Sequence, residues 1–273
     1  EKLATASGGV SITGDIGAST ATISGAATAG TINGVGISSG ITNFTGSILI
    51  SNDAGTGTLN SALNNTGLGY EVFDDLTSGD SNTAVGYRAM TKITSAADNV
   101  AMGQASLDAM TTGSNNVAVG VNTLTALTTA SNNTAIGHKS LEANTTGANN
   151  VAVGANALDA NTTGGENTAV GYQSLSTATT VDNNTAFGYT TLRDNTSGSS
   201  NLAVGVNTLR LNTTASNNTG LGAFVLDVNT TGASNTGVGS GALGANTTAS
   251  NNTAVGTSSL AANTTGHQSV AIG

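Results

Sequence analysis

From residue 53 to residue 273 the apolar and polar positions of the chain recur every 17 residues, through thirteen units without insertion or deletion. A glycine closes each unit, from Gly69, Gly86 and Gly103 through to Gly273. The residue before it is a sizeable apolar one, as at Val119, Ile136, Val153 and Val170. Two before it stands only Ala or Gly, as at Ala118, Ala135, Ala152 and Ala169, and three before it stands Thr, Val or Leu. This alternation has the period of a strand. A second apolar column lies four residues after the glycine, at Leu124, Leu141, Leu158 and Leu175. The density of Gly, Asn and β-branched residues excludes a helix.

A repeat of this length accommodates two short strands and two turns. Identical units stacked in register predict an all-β fold, a parallel β-solenoid or β-roll of 17-residue coils about 4.8 Å apart. The turns are written "ANTTGANN" or "TTASNN". Gly147 and Gly164 suit a tight turn there, but Ala130, Ala215 and Ala249 occupy the same place, so a positive φ is not obligatory. Four residues before each glycine is an Asn, from Asn65 to Asn252, broken only by Ser269. In register these side chains form an amide ladder. The phrases "NNT" and "NTT" also match the N-glycosylation acceptor, as at Asn144, but the ladder explains the column without any modification.

If the larger strand residues fill the roll, alternation turns the Ala column outward. The expected roll core is then Val119, Ile136, Val153 and Val170 with Leu124, Leu141, Leu158 and Leu175. The expected contact between chains is Ala118, Ala135, Ala152 and Ala169, whose small side chains admit a close approach of backbones. A single roll offers about three large apolar residues per coil, each contributing about 1.5–3 kcal/mol when buried. Ordering costs on the order of 1.5 kcal/mol per residue before hydrogen bonding is counted. That imbalance predicts a homo-oligomer. Residues 1–52 stand outside the repeat, and "VSITGDI", "ATISGAATAGTINGVGISSGI" and "GSILI" predict short strands in a stem or connector.

Composition narrows the function. The chain has 38 Gly, no Pro, no Cys, no Trp and a net charge of −9, so nucleic acid and anionic membrane surfaces are poor partners. No apolar run approaches the roughly 20 residues of a membrane span. The start "EKLATASGGV" has neither an initiator Met nor a signal-peptide core, as expected of a piece of something longer. No catalytic, cofactor-binding or metal-ligating set emerges: His138 and His267 have no Cys or carboxylate at ligand spacing. Asp108, Glu142, Asp159 and Asp227 share a column with Arg193 and Arg210, which describes a solvated edge. Tyr70 and Tyr87 follow the glycine in adjacent coils, as do Tyr172 and Tyr189. Each pair is expected to stack, and the sharper reading makes these four a contact for host glycans.

The units "NNVAVG", "NNTAIG" and "HQSVAIG" resemble the head repeat of YadA-like trimeric adhesins, over about four fifths of the chain. The 17-residue unit is longer than the roughly 14-residue unit of that family. "NTAVGYQSL" with "NTTG" spacers, and the N-terminal "KLATASGGVSITGDI", are similar to phage tail-fibre and virion structural proteins. The resemblance implies a homotrimeric, non-enzymatic fibre shaft without cofactor, located on the virion and extracellular. Its partners would be other virion tail proteins and a host surface glycan or protein. The alternative it implies is a bacterial surface adhesin. An ice-binding solenoid is a third class: Thr83, Thr134, Thr168, Thr185, Thr219, Thr236 and Thr253 share a column, interrupted by Val100, Val117, Val151, Leu202 and Val270.

Overall fold

The computed structural model describes residues 30–32, 35–39, 47–51 and 59–273. The repeat builds a β-solenoid. Among the described residues sixteen strands form one sheet in sequence order, with β2 (Val35–Ser39) antiparallel to both β1 (Gly30–Ile32) and β3 (Ile48–Ser51). From β3 onward every pairing is parallel, through β4 (Thr66–Leu68), β5 (Thr83–Val85), β6 (Val100–Met102), β7 (Val117–Val119), β8 (Thr134–Ile136) and β9 (Val151–Val153). It continues through β10 (Thr168–Val170), β11 (Thr185–Phe187), β12 (Leu202–Val204), β13 (Thr219–Leu221), β14 (Thr236–Val238), β15 (Thr253–Val255) and β16 (Val270–Ile272). Register is kept throughout: Ala135 lies opposite Ala118 on one side and Ala152 on the other. β3 acts as the first rung, with Leu49 buried where later coils carry Ala or Gly.

Each coil has one strand of three residues, not the expected two; the rest is turn. The reason is the backbone. In the coil closed by Gly137, Asn122, Leu124 and Asn132 have φ of 55°, 51° and 63°. Left-handed residues at such short intervals bend the chain too sharply for a second strand. Leucine gains nothing locally in that conformation. It is held there because its amide donates to the next coil, Leu124 N–H to the Ser140 carbonyl at 3.1 Å, and because its side chain is fully buried.

Amides bond both ways along the stack. Asn122 N–H and Gly137 N–H reach back to the carbonyls of Gln104 (2.9 Å) and Val119 (2.8 Å), while Thr134 N–H reaches forward to Asn150 (2.8 Å). Thr145 adds its hydroxyl, donating to the Thr162 carbonyl at 2.9 Å, and the same bond recurs in most coils. Within this coil Thr123, Leu124, Leu127, Ala130, Asn133 and Ala135 are buried.

The interior is small and half amide. The Asn column from Asn65 to Asn252 is buried, and each member caps the coil before it: Asn150 N–H donates to Asn133 Oδ1 at 3.0 Å, and Asn150 Nδ2 to the Gly164 carbonyl at 2.9 Å. A second ladder appears where earlier coils have Leu76, Ile93, Met110 and Leu127. Asn161 Nδ2 donates to Asn144 Oδ1 at 3.1 Å, and Asn212, Asn229 and Asn246 continue the series. Polar groups deep inside are tolerated because nearly all find a partner one coil away, Asn161 Oδ1 being an exception.

Candidate functional surface

The structure reverses the expected strand faces. Ala118, Ala135, Ala152 and Ala169 are fully buried inside a single roll, so they are core and not a surface where chains could meet. Val119, Val153 and Val170 are only half-buried and Ile136 is 40 % exposed, so they line the outside. The cause is period-two alternation counted from the ladder. Asn133 must turn inward to bond its neighbours, so Ala135, two residues on, turns inward with it, and Thr134 and Ile136 turn out. Leu124, Leu141, Leu158 and Leu175 are fully buried, as expected of the roll core.

Volume inside is matched between the strand and the residue three after the glycine. Where Val225 sits there, the facing strand positions are Gly220 and Gly237, and a Cβ on Gly237 would lie 2.5 Å from Val225 Cγ1. Smaller residues at that point permit Ala. Ser140 and Ser174 also donate their hydroxyls to the carbonyls of Ala152 (2.9 Å) and Ala186 (3.1 Å).

The outer strand face carries an apolar ladder beside a column of Thr, Val and Leu. Met102, Phe187, Leu221 and Val255 extend the Ile136 column, and Val151 and Leu202 join from the column beside it. Size alone places the first column in the interior. The available signal was tolerance: Thr, Val and Leu interchange three before the glycine, whereas the Asn and Ala positions admit almost nothing else.

The tyrosines flank this ladder. Tyr70 and Tyr87 stack with ring centroids 5.7 Å apart and planes 15° from parallel, and Tyr172 and Tyr189 at 5.6 Å and 17°. In each pair one face of each ring is covered by the other. The pairs therefore present ring edges and their outer faces, not one flat platform, an arrangement that suits aromatic packing.

Charge lies on other sides of the coil. Arg88 pairs with Glu71 (3.3 Å) and Asp108 (3.2 Å), Lys139 with Glu142 (3.2 Å), and Arg210 with Asp227 (2.8 Å). Burial, reinforced by the nearby Glu142 charge, pushes the Asp159 carboxyl above its ordinary value. Among the described residues no group of three or more His, Cys, Asp or Glu side chains could hold a metal ion. His267 Nδ1 accepts the Ser250 N–H at 2.9 Å. Nor is Asn144 accessible for glycosylation in the folded roll: it is fully buried, with Nδ2 donating to the Gly147 carbonyl (2.9 Å) and Oδ1 accepting its N–H (3.1 Å).

Among the described residues no helix is long and apolar enough to cross a membrane. No family model matches this chain, and no curated protein and no solved structure does.

Proposed function

We propose that the chain is a non-enzymatic shaft segment of a homotrimeric attachment fibre of the phage tail-fibre kind, carried on the virion outside the cell. The observation that supports this reading best is the unbroken parallel ladder from β3 to β16, in which every coil is bonded to both neighbours. A stack of this kind transmits force along its axis and grows by adding coils, which is what a spacer requires. Its partners are further virion proteins at the ends and a host surface glycan or protein.

Three measurements test the reading. Small-angle scattering should give a rod, with twelve coil steps spanning roughly 58 Å, and sedimentation a mass three times the 26.3 kDa of one chain. A compact monomeric particle would overturn it. Antibody raised against the purified chain should label phage tails. Labelling of bacterial envelopes instead would replace the phage assignment with a surface adhesin.

A further inference from the structure

We infer that the outward strand face, the ladder running through Val119, Ile136, Val153, Val170 and Phe187, is the surface by which copies of this chain bind one another, side by side, parallel and unstaggered. The inference rests on the fibre reading and deepens it by naming the contact. Three observations carry it.

The first is exposure: Ile136, Met102 and Phe187 are 40 %, 46 % and 54 % exposed in a single roll, although the chain folds a continuous core without them. Three strand residues make a band roughly 10 Å wide, and twelve coil steps make it about 58 Å long. Its projected area is on the order of 600 Å² before side-chain relief. One outward column is apolar throughout and the other is Thr in eight of the thirteen units, so the apolar part is a few hundred Å², at the upper end of what monomers leave bare, while the whole face approaches the roughly 800 Å² per partner of a stable interface.

The second is charge. The chain carries −9, and copies repel wherever carboxylates face each other. In the thirteen units no Asp, Glu, Lys or Arg occupies either outward strand column, whereas acidic residues occur beside them in the turns, at Asp108, Glu142 and Asp159. The apolar band is thus also a neutral one.

The third is period. The band repeats once per coil over fourteen parallel strands. A partner with any other spacing drifts out of register within a few coils, but a second copy keeps it along the whole length. Closed cyclic symmetry of parallel copies then sets each residue against its equivalent, Val153 near Val153 of the next copy, and ends the assembly without leaving an open side.

The chain has no cysteine, which makes the test direct. Val119→Cys and Val153→Cys, each alone in the full chain, should form covalent dimers with a short bis-maleimide several-fold more efficiently than Thr146→Cys, an exposed position in a turn. The double substitution Val119→Lys with Val153→Lys should dissociate the assembly while the β-sheet circular dichroism persists, because both side chains point outward. If sedimentation shows the wild-type chain to be oligomeric but Thr146→Cys cross-links as well or better, the face is wrong and the fibre reading stands. A wild-type chain that is monomeric at all concentrations overturns both. An oligomer that survives the double Lys variant also overturns the inference.

Discussion

Asn133 donates both its backbone N–H and its side-chain Nδ2 to the single oxygen Asn116 Oδ1, at 3.0 and 3.2 Å. The same oxygen therefore closes the coil behind and positions the coil ahead, and the relation recurs along the Asn column. Replacing Asn133 by Ala leaves Asn150 N–H without its acceptor (3.0 Å) and removes one of two side-chain donors to the Gly147 carbonyl, which keeps Asn144 Nδ2 at 2.9 Å. One buried group orphaned at roughly 1–3 kcal/mol, with the lost side-chain bond at about 0.5–1.5 kcal/mol, predicts a loss of about 1.5–4.5 kcal/mol. Asn132→Gly, at an exposed left-handed position next door, should change stability by less than about 0.5 kcal/mol. Denaturant midpoints for the two variants check this; equal shifts would remove the ladder from the explanation of stability.

Gly154 shows why the closing glycine is invariant. Its φ is +135°, and a Cβ built there would stand 2.5 Å from the Gly171 carbonyl oxygen of the next coil. Gly154→Ala thus combines backbone strain of about 1–3 kcal/mol with a clash against main chain that cannot swing aside. We expect a loss of more than about 3 kcal/mol. Gly147→Ala should be milder: a Cβ there would also press on the next coil, 2.2 Å from the Gly164 carbonyl oxygen, but the position does not have a positive φ, and Ala130, Ala215 and Ala249 show that sister coils shift to admit it. Thermal melts that place Gly147→Ala at or below Gly154→Ala would contradict this account.

The solenoid, its period and the amide ladder are legible in the sequence because each coil contacts its own image, so a structural need becomes a column. The direction of a side chain is harder to read. By size Ile136 reads as interior and Ala135 as exterior, yet a roll this narrow has room inside for Ala, Leu and amides, and the bulkier strand residues stay outside. The Asn at Asn133 held the correction, since a ladder residue must face inward and Ala135 shares its face. The turns hide for another reason. Leu124 at φ 51° runs against its intrinsic preference, and only the hydrogen bonds to the next coil, a long-range effect, hold it there.

Asp159 predicts a pH dependence. Its carboxyl is partly buried, and that burial, with Glu142 nearby, raises its pKa above the ordinary 3.8, so the folded state holds this proton more tightly than the unfolded one. Folding at neutral pH therefore carries the cost of keeping Asp159 ionised. That cost is relieved as pH falls through the raised value, and is gone below the ordinary one. Asp159→Asn should raise the melting temperature at pH 7, and its advantage over the wild type should shrink towards pH 3.8. An advantage that is constant from neutral to acid pH would show that charge is not the cause.

The second Asn ladder has a gap, and closing it should stabilise the rod. Asn144, Asn161, Asn195 and Asn212 occupy one buried column, but Ala178 stands between Asn161 and Asn195, and Asn161 Oδ1 is left buried with no hydrogen-bond partner. Val181, three residues on, fills space where Gly164 and Gly198 stand in the neighbouring coils. A lone Ala178→Asn would crowd that valine, so little gain or a loss is expected. The pair Ala178→Asn with Val181→Gly restores the arrangement seen at Asn195, whose Nδ2 donates to the Gly198 carbonyl at 2.7 Å. The new Nδ2 would also donate to Asn161 Oδ1, as Asn161 does to Asn144. Satisfying the orphan contributes about 1–3 kcal/mol, offset in part by the lost valine methyls. Because coils touch only their neighbours, the gain should appear as slower hydrogen exchange at the Thr162 and Thr163 amides, which both donate to the Thr179 carbonyl (2.8 and 3.3 Å), with distant coils unchanged. A double variant that exchanges faster there than the wild type would mean that Val181 packing outweighs the amide bond.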